Sequence, residues 1–276
     1  LNIRKQNLDR LLEAIEKPYG MILNTGPTGS GKTTTLYSIL ARLNKPEIKI
    51  ITVEDPIEYQ IAGLLQTQTN DEAGYTFATA LRALMRQNPD IIMIGEIRDD
   101  ETAEIAIQSA STGHLVLSTL HANSAAGTVS RLLKMGTSGD DLANAGNLFM
   151  AQRLVRKLCD RCKQESAPTA EETAILERIL ASISPQAGVE VPASRKIWHE
   201  GGCPNCNGTG YTGRMTIIEA MPIDNDIQEL IGRGALVHEI EEKAVEHGML
   251  TMAQDGILCV LEGKTSLEEV KRVTEI

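Results

Sequence analysis

Gly26, Pro27, Thr28, Gly29, Ser30, Gly31, Lys32 and Thr33 spell the pattern G-x-x-x-x-G-K-[ST]. The glycines let successive backbone N–H groups turn toward one anion, and a helix starting here adds the partial positive charge of its N-terminus. In such a loop Lys32 reaches the β and γ phosphates of a nucleotide and Thr33 ligates Mg²⁺, with Thr34 the last residue assigned to the nucleotide. An apolar run at 21–23 precedes the loop and a helical pattern at 34–43 follows, which is the context the pattern requires. Glu96 stands one residue past a second apolar run, 91–94, with Gly95 where comparable strands place a Mg²⁺-linked Asp. A carboxylate at that point is placed to orient and deprotonate an attacking water. Glu54, Asp55 and Glu58 gather just past the run 48–53. Taken alone they read as a solvated acidic turn; beside other strand ends they suit a cation such as the Mg²⁺ of Mg·ATP. His114 and His121 flank the run 115–117, where they either sense a γ phosphate or link neighbouring subunits, and Ser118 and Thr119 bring hydroxyls near the phosphates.

A second chemistry is written in cysteines. Cys159 and Cys162, then Cys203 and Cys206, form two C-x-x-C pairs that suit tetrahedral Zn²⁺, each pair making a knuckle with N–H groups aimed at sulfur. The 40 residues between the pairs exceed a zinc-ribbon interval, so a helix at 169–183, capped by Thr169 with Glu172 three residues on, is expected as an insertion. Disulfides are the competing reading; the reducing compartment implied by a nucleotide motif disfavours them. Four Cys leave no open metal position, so the zinc is expected to be structural. Cys259, in an apolar helical run, reads as core.

The elements that must position these groups follow from patterning. The chain has 276 residues, 42% hydrophobic and 3% aromatic, with 27 Lys+Arg against 37 Asp+Glu for a net charge of −10. That composition suits a globular α/β chain, and no apolar run approaches the ~18 residues of a membrane span. The acidic balance and few aromatics argue against broad nucleic-acid binding, which relies on phosphate neutralisation and base stacking. The short apolar runs read as strands of a sheet covered on both faces, and the helical patterns at 34–43, 77–86 and 101–110 make βαβ units of them. Residues 8–15 read as an amphipathic helix, 141–158 as a long helical pattern, and 227–231, 237–245 and 267–273 as a C-terminal helical cluster. Starting without Met or a leader, the chain is expected to be a fragment of a longer protein.

Five motifs occur in order: Gly26 to Tyr37, Glu54-Asp-Pro-Ile-Glu58, Gly95-Glu-Ile-Arg-Asp99, Gly113 to Asn123, and a tetracysteine module ending Gly210-Tyr-Thr-Gly-Arg214. Together they make the chain resemble the secretion-ATPase superfamily, the motors of type II secretion and type IV pilus assembly. The resemblance implies a RecA-like P-loop NTPase core with an inserted tetracysteine zinc module and a C-terminal helical cluster. Its expected divisions are a lead-in helix and linker at 1–20, the core at 21–158, the zinc module at 159–214 and a helical subdomain at 215–276. It implies ATP hydrolysis with Mg²⁺ and Zn²⁺, and catalytic parts for Lys32, Glu96, Glu54, Glu58 and His121. It further implies a homo-hexamer in the full-length protein, in the cytoplasm. The hexamer would be peripheral at the inner face of the cytoplasmic membrane through inner-membrane platform and recruitment proteins. N-terminal domains that supply arginines to the γ phosphate are expected to be missing from this chain, and the tetracysteine module points to extension rather than retraction motors. Asn88 and Thr216 stand where the family favours Asp and Gly. Two rivals remain: a RecA-like nucleic-acid motor using the basic patch Arg153-Leu-Val-Arg-Lys157, and a zinc scaffold that binds ATP without turnover.

Overall fold

The apolar runs become strands buried along their whole length, because helices cover both faces of a parallel sheet. The computed structural model describes residues 3–276, so the first two residues of the expected lead-in segment lie outside it. The amphipathic helix expected at 8–15 is α1 (Lys5–Glu16), followed by β1 (Gly20–Thr25), α2 (Lys32–Leu43), β2 (Ile50–Glu54), β3 (Leu65–Gln68), α3 (Phe77–Met85), β4 (Ile91–Ile94), α4 (Asp100–Ser111) and β5 (Leu115–Leu120). Then come α5 (Ala125–Lys134), α6 (Gly139–Ala145) and β6 (Gly146–Leu158). Side-chain caps start several of these helices: Thr76 accepts from the Thr79 N–H for α3, Asp99 from Thr102 for α4, and Ser124 from Gly127 for α5. Asn88, between α3 and β4, holds a left-handed φ of 50°, a conformation Asn tolerates better than most residues.

The chain divides into two compact units. The sheet unit comprises Asp9–Ala151 with Ala220–Ala244. Its strands lie in the order β3-β2-β4-β5-β1-β6, with β9 (Tyr211–Pro222) beyond β6, and both of these last strands run on into the other unit. β1 pairs parallel with β5 from Gly20↔Leu115 to Thr25↔Leu120, and β4 pairs parallel with β5 and with β2. The central core is Met21, Ile22, Leu23, Ile51, Ile92, Val116 and Leu117, none more than 1% exposed. α8 (Asn225–Gly232) and most of α9 (Val237–Glu246) belong to this unit, with α8 packed on α6.

Residues 141–158, expected to be helical throughout, are helical only to Ala145; the remainder is the 13-residue strand β6. Met21 to Thr25 pair in parallel with Gly146 to Ala151, a partner more than a hundred residues away in sequence. An apolar stretch buried on both faces has no alternation, so its pattern does not distinguish strand from helix, and the open edge of β1 decides. β9 is a strand for the same kind of reason.

The cysteine unit comprises Gln152–Glu219 and Val245–Ile276, with the described start of the chain up to Leu8. Here β7 (Gln164–Ser166) pairs antiparallel with β8 (Ile197–His199). Between them lies α7 (Ala170–Ala181), capped by the expected Thr169 and Glu172 box. Leu176 and Ile179 of α7 pack with Ile197 and with Ile257, Val260, Leu267 and Val270 of α10 (Met252–Leu261) and α11 (Leu267–Val273). The helices after 215 therefore divide between the units rather than forming one cluster, because α10 and α11 supply the apolar surface that the inserted helix needs. Among the described residues, no helix is long and apolar enough to cross a membrane.

Glu269 in α11 is 1% exposed and accepts from the Arg156 N–H and guanidinium (2.8 and 2.7 Å) and from Arg272 (2.8 Å). Burial alone would raise its carboxyl, but Arg272 and Arg156 hold it at about 2, below its ordinary 4.5. A carboxyl depressed on folding contributes stability that is full above the unfolded value and is lost as pH falls through the folded one. Denaturant melts of the wild type should therefore weaken between about pH 4.5 and about pH 2 by more than those of Glu269→Gln, which lacks this titration.

Candidate nucleotide site and cysteine centre

In a parallel sheet the C-terminal ends of neighbouring strands open onto one edge, where α/β folds bind ligands. β1 delivers the glycine loop to that edge. Gly31, at φ 88°, is the left-handed cap from which α2 starts at Lys32, so the helix N-terminus faces the loop. The Lys32 ammonium donates to the carbonyls of Gly26 (2.9 Å) and Pro27 (3.0 Å) and so lies across the loop. Thr33 and Thr34 are exposed on the first turn. The Thr25 hydroxyl donates to the Leu120 carbonyl (2.8 Å) and accepts from the Ala122 N–H (2.7 Å), fastening the loop to the segment that carries His121. A cleft of about 520 Å³ adjoins the loop, lined by Gly26, Pro27, His121, Asn123, Arg131 and Lys134 among others.

β4 delivers Glu96. Gly95 sits close against β2: a Cβ there would stand 3.3 Å from the Val53 carbonyl and 3.4 Å from Glu54 Cα, a tight fit that a glycine avoids. The Gly95 N–H instead donates to Val53 (2.7 Å), drawing the ends of β4 and β2 together. Glu96 Oε1 accepts from Arg98 Nε (2.7 Å), and Oε2 lies 3.3 Å from His121 Nε2. Arg98 also donates to Asp55 (3.0 Å), and its guanidinium carbon sits 5.7 Å from the Phe77 ring centroid. The Glu96 carboxylate, with Asp55 behind it, holds the Arg98 charge above its ordinary range. Ser118 and Thr119, expected to offer hydroxyls to phosphates, donate to the carbonyls of Ile94 (2.8 Å) and Gly95 (2.7 Å), where they set the strand ends.

The acidic cluster splits. Glu54 is 3% exposed and accepts from Tyr37 of α2, from Thr52 (2.6 Å) and from Gln66 of β3 (3.1 Å), an internal tie rather than a group facing a ligand. Burial, then Glu54, pushes the Tyr37 phenol well above its ordinary value, so it stays a donor. Glu58 is exposed, and its N–H donates to the Tyr37 hydroxyl (3.3 Å). His114 precedes β5 and bonds to the Ser109 carbonyl (3.0 Å), at the opposite end of the strand from His121, so the two histidines do not share a site.

The cysteine unit brings its four thiols together. Their sulfurs lie within 4.8 Å of one another, with separations of 3.8 Å for Cys159 and Cys203, 3.7 Å for Cys162 and Cys206, and 3.7 Å for Cys203 and Cys206. A tetrahedron of ~2.3 Å Zn–S bonds has edges of about 3.8 Å, which these three separations match, so the set suits zinc. All five cysteines are free thiols, which sets aside the disulfide reading. N–H groups point at sulfur as a thiolate centre requires: Cys203 and Gly210 at Cys206 (3.4 and 3.3 Å), and the Asn205 side chain at Cys159 (3.6 Å). Burial would raise the Cys206 thiol, but the Cys203 and Gly210 N–H groups bring it down to about 6. Cys259 is 3% exposed, and burial pushes it up to about 12, as an inert core thiol.

In the sequence Arg98 and Tyr37 stand inside their motifs without a part of their own, and Thr52 and Gln66 carry no functional signal. A cation two residues past a strand-end glutamate was the available signal for the first; the others depend on pairings across the sheet.

The sequence matches, over residues 1–272, the family described as Type II/IV secretion system protein. The type IV pilus assembly ATPase PilB of Myxococcus xanthus (strain DK1622) is 48% identical over 270 residues, 98% of this chain and 46% of the relative. Type II secretion system protein E of Xanthomonas campestris pv. campestris is 48% identical over 276 residues, 100% of this chain and 47% of the relative. The chain thus spans about half the length of these curated relatives. Among solved structures, the pilus retraction motor PilT with bound ADP is similar over 100% of this chain and 68% of its own, at a TM-score of 0.71 and 27% identity. The Legionella pneumophila ATPase DotB, at a TM-score of 0.67 and 24% identity over 96% of this chain and 62% of its own, shares the fold. With the fold, the glycine loop and the family match running together over nearly its whole length, this chain belongs to the type II/IV secretion system protein family.

Proposed function

We propose that this chain is the ATP-hydrolysing part of a motor that powers type II protein secretion or type IV pilus assembly. The observation that carries the reading is the arrival of a phosphate loop and of Glu96, with His121 against it, at one edge of a parallel sheet. ATP lies with its phosphates in the loop, and Lys32 exchanges its two carbonyl partners for β and γ phosphate oxygens. Residues Gly26 to Thr34 cradle the nucleotide. Thr33 would hold Mg²⁺, which supplies charge neutralisation at the phosphates when bound. Glu96 orients the attacking water and takes its proton, and His121 bears on its second oxygen and responds to the γ phosphate. Glu54 contributes from beneath by fixing Tyr37, while Glu58 faces outward at the same edge. Most of the rate comes from positioning and charge stabilisation, as in phosphoryl transfer generally.

The four cysteines hold a structural Zn²⁺, which would tie the turn after β6 to the turn before β9. The full-length protein works as a homo-hexamer in the cytoplasm, peripheral at the inner face of the cytoplasmic membrane through platform and recruitment proteins. Relatives named for secretion and for pilus assembly are equally similar, at 48%, so the reading keeps both machines. A nucleic-acid motor is the lesser reading, because its basic patch is spent internally: Arg156 pairs with Glu269 and stacks 4.0 Å over Tyr211, and Lys157 pairs with Asp160.

Three measurements test this. Titration of a fluorescent ATP analogue should show Lys32→Ala binding about tenfold or more weaker, since charge-assisted bonds are lost. Phosphate release by the full-length protein should fall roughly 10²- to 10³-fold in Glu96→Gln with analogue binding retained; undiminished turnover there would sink the base assignment. Atomic absorption should find about one Zn²⁺ per chain, lost together with thermal stability in Cys206→Ser.

A further inference from the structure

Glu96 has one firm partner and one loose one. Arg98 Nε donates to Oε1 at 2.7 Å, whereas His121 stands 3.3 Å from Oε2, beyond the usual range for a strong hydrogen bond. Arg98 is itself fixed from three directions. One part of its planar fork meets Glu96, another meets Asp55 at 3.0 Å, and the guanidinium lies over the Phe77 ring at 5.7 Å. An arginine with half of its side chain exposed carries several free rotatable bonds, so three anchors on one exposed side chain demand an explanation. The anchors come from separate elements: Asp55 directly follows β2, and Phe77 opens α3. Glu96 follows β4 through a glycine and would, without Arg98, swing on an unrestrained side chain.

We infer that Arg98 is a positioning residue for the hydrolytic step, aiming the Glu96 carboxylate by tying it to Asp55 at the end of β2. The inference rests on the reading of Glu96 as the base. Asp55 then has a part that the acidic cluster did not reveal from its sequence: it holds the arginine that holds the base. A lysine at 98 would carry the charge without the fork and so would not span both carboxylates.

The test uses the full-length protein, with steady-state phosphate release and equilibrium binding of a fluorescent ATP analogue measured side by side. Arg98→Ala should lower kcat on the order of 10²-fold, the cost of a misplaced catalytic group, while analogue affinity stays within about twofold. Arg98→Lys should recover little of the loss, and Asp55→Asn should lower kcat in the same direction. Added to Glu96→Gln, Arg98→Ala should cost nothing further, because the residue acts through Glu96; an arginine that merely supports the fold would slow the double variant again. Full kcat in Arg98→Ala, a loss of affinity parallel to the loss of kcat, or a further loss in the Glu96→Gln background would each overturn the inference. Wild-type turnover in Glu96→Gln alone would remove the base assignment itself, an outcome separable from an inert Glu96→Gln beside a fully active Arg98→Ala.

Discussion

Everything at the nucleotide edge depends on the parallel register of four strands. β1, β5, β4 and β2 point the same way, so the loop after β1, His121 after β5, Glu96 after β4 and Asp55 after β2 emerge side by side. Parallel strands need helical crossovers, and those helices bury both sheet faces, which is why the strands read as unbroken apolar runs. A shift of one residue in any strand would rotate its terminal side chain to the other face and break up the site. The register is held where it matters by short polar ties at the strand ends: Thr25 to Leu120, Ser118 to Ile94, Thr119 to Gly95, and the Glu54 cluster with Tyr37, Thr52 and Gln66.

The cysteine unit meets a different constraint. Its apolar core is assembled from α7, β8, α10 and α11, and its two turns carry four thiols at distances that suit one tetrahedral metal. Around that centre, polar groups are satisfied in chains: the Tyr211 hydroxyl meets Ser266 (2.9 Å) and Glu200 (3.1 Å), and Arg156 covers the Tyr211 ring while pairing with Glu269. A buried carboxylate with two guanidiniums is stable only as a set, since removal of one partner leaves charge without compensation.

The phosphate loop, the cysteine pairs and the four central strands were legible because each is a local pattern: glycines at fixed spacing, paired thiols, continuous apolar runs. The capped helix at Thr169 was legible for the same reason. β6 was not, since a strand apolar on both faces looks like a buried helix until β1 is known to lie beside it. Glu54 and Glu58 looked equivalent in sequence, yet one lies under Tyr37 and the other in solvent, a difference made by β3 and α2 packing over the end of β2. His114 and His121 likewise looked like a pair, although a strand separates them. Gly95 stands where comparable strands place an Asp, as the resembled family usually has it; the closeness of β2 leaves a side chain there little room.

The central claim is that this edge places a γ phosphate between Lys32 and Glu96. A crystal structure of the full-length protein with Mg²⁺ and a non-hydrolysable ATP analogue tests it most directly. The account predicts γ phosphate oxygens within hydrogen-bond reach of the Lys32 ammonium and an ordered water between that phosphate and Glu96. An analogue seated elsewhere, or seated in the loop with Glu96 turned away from the phosphate and its water, would contradict it.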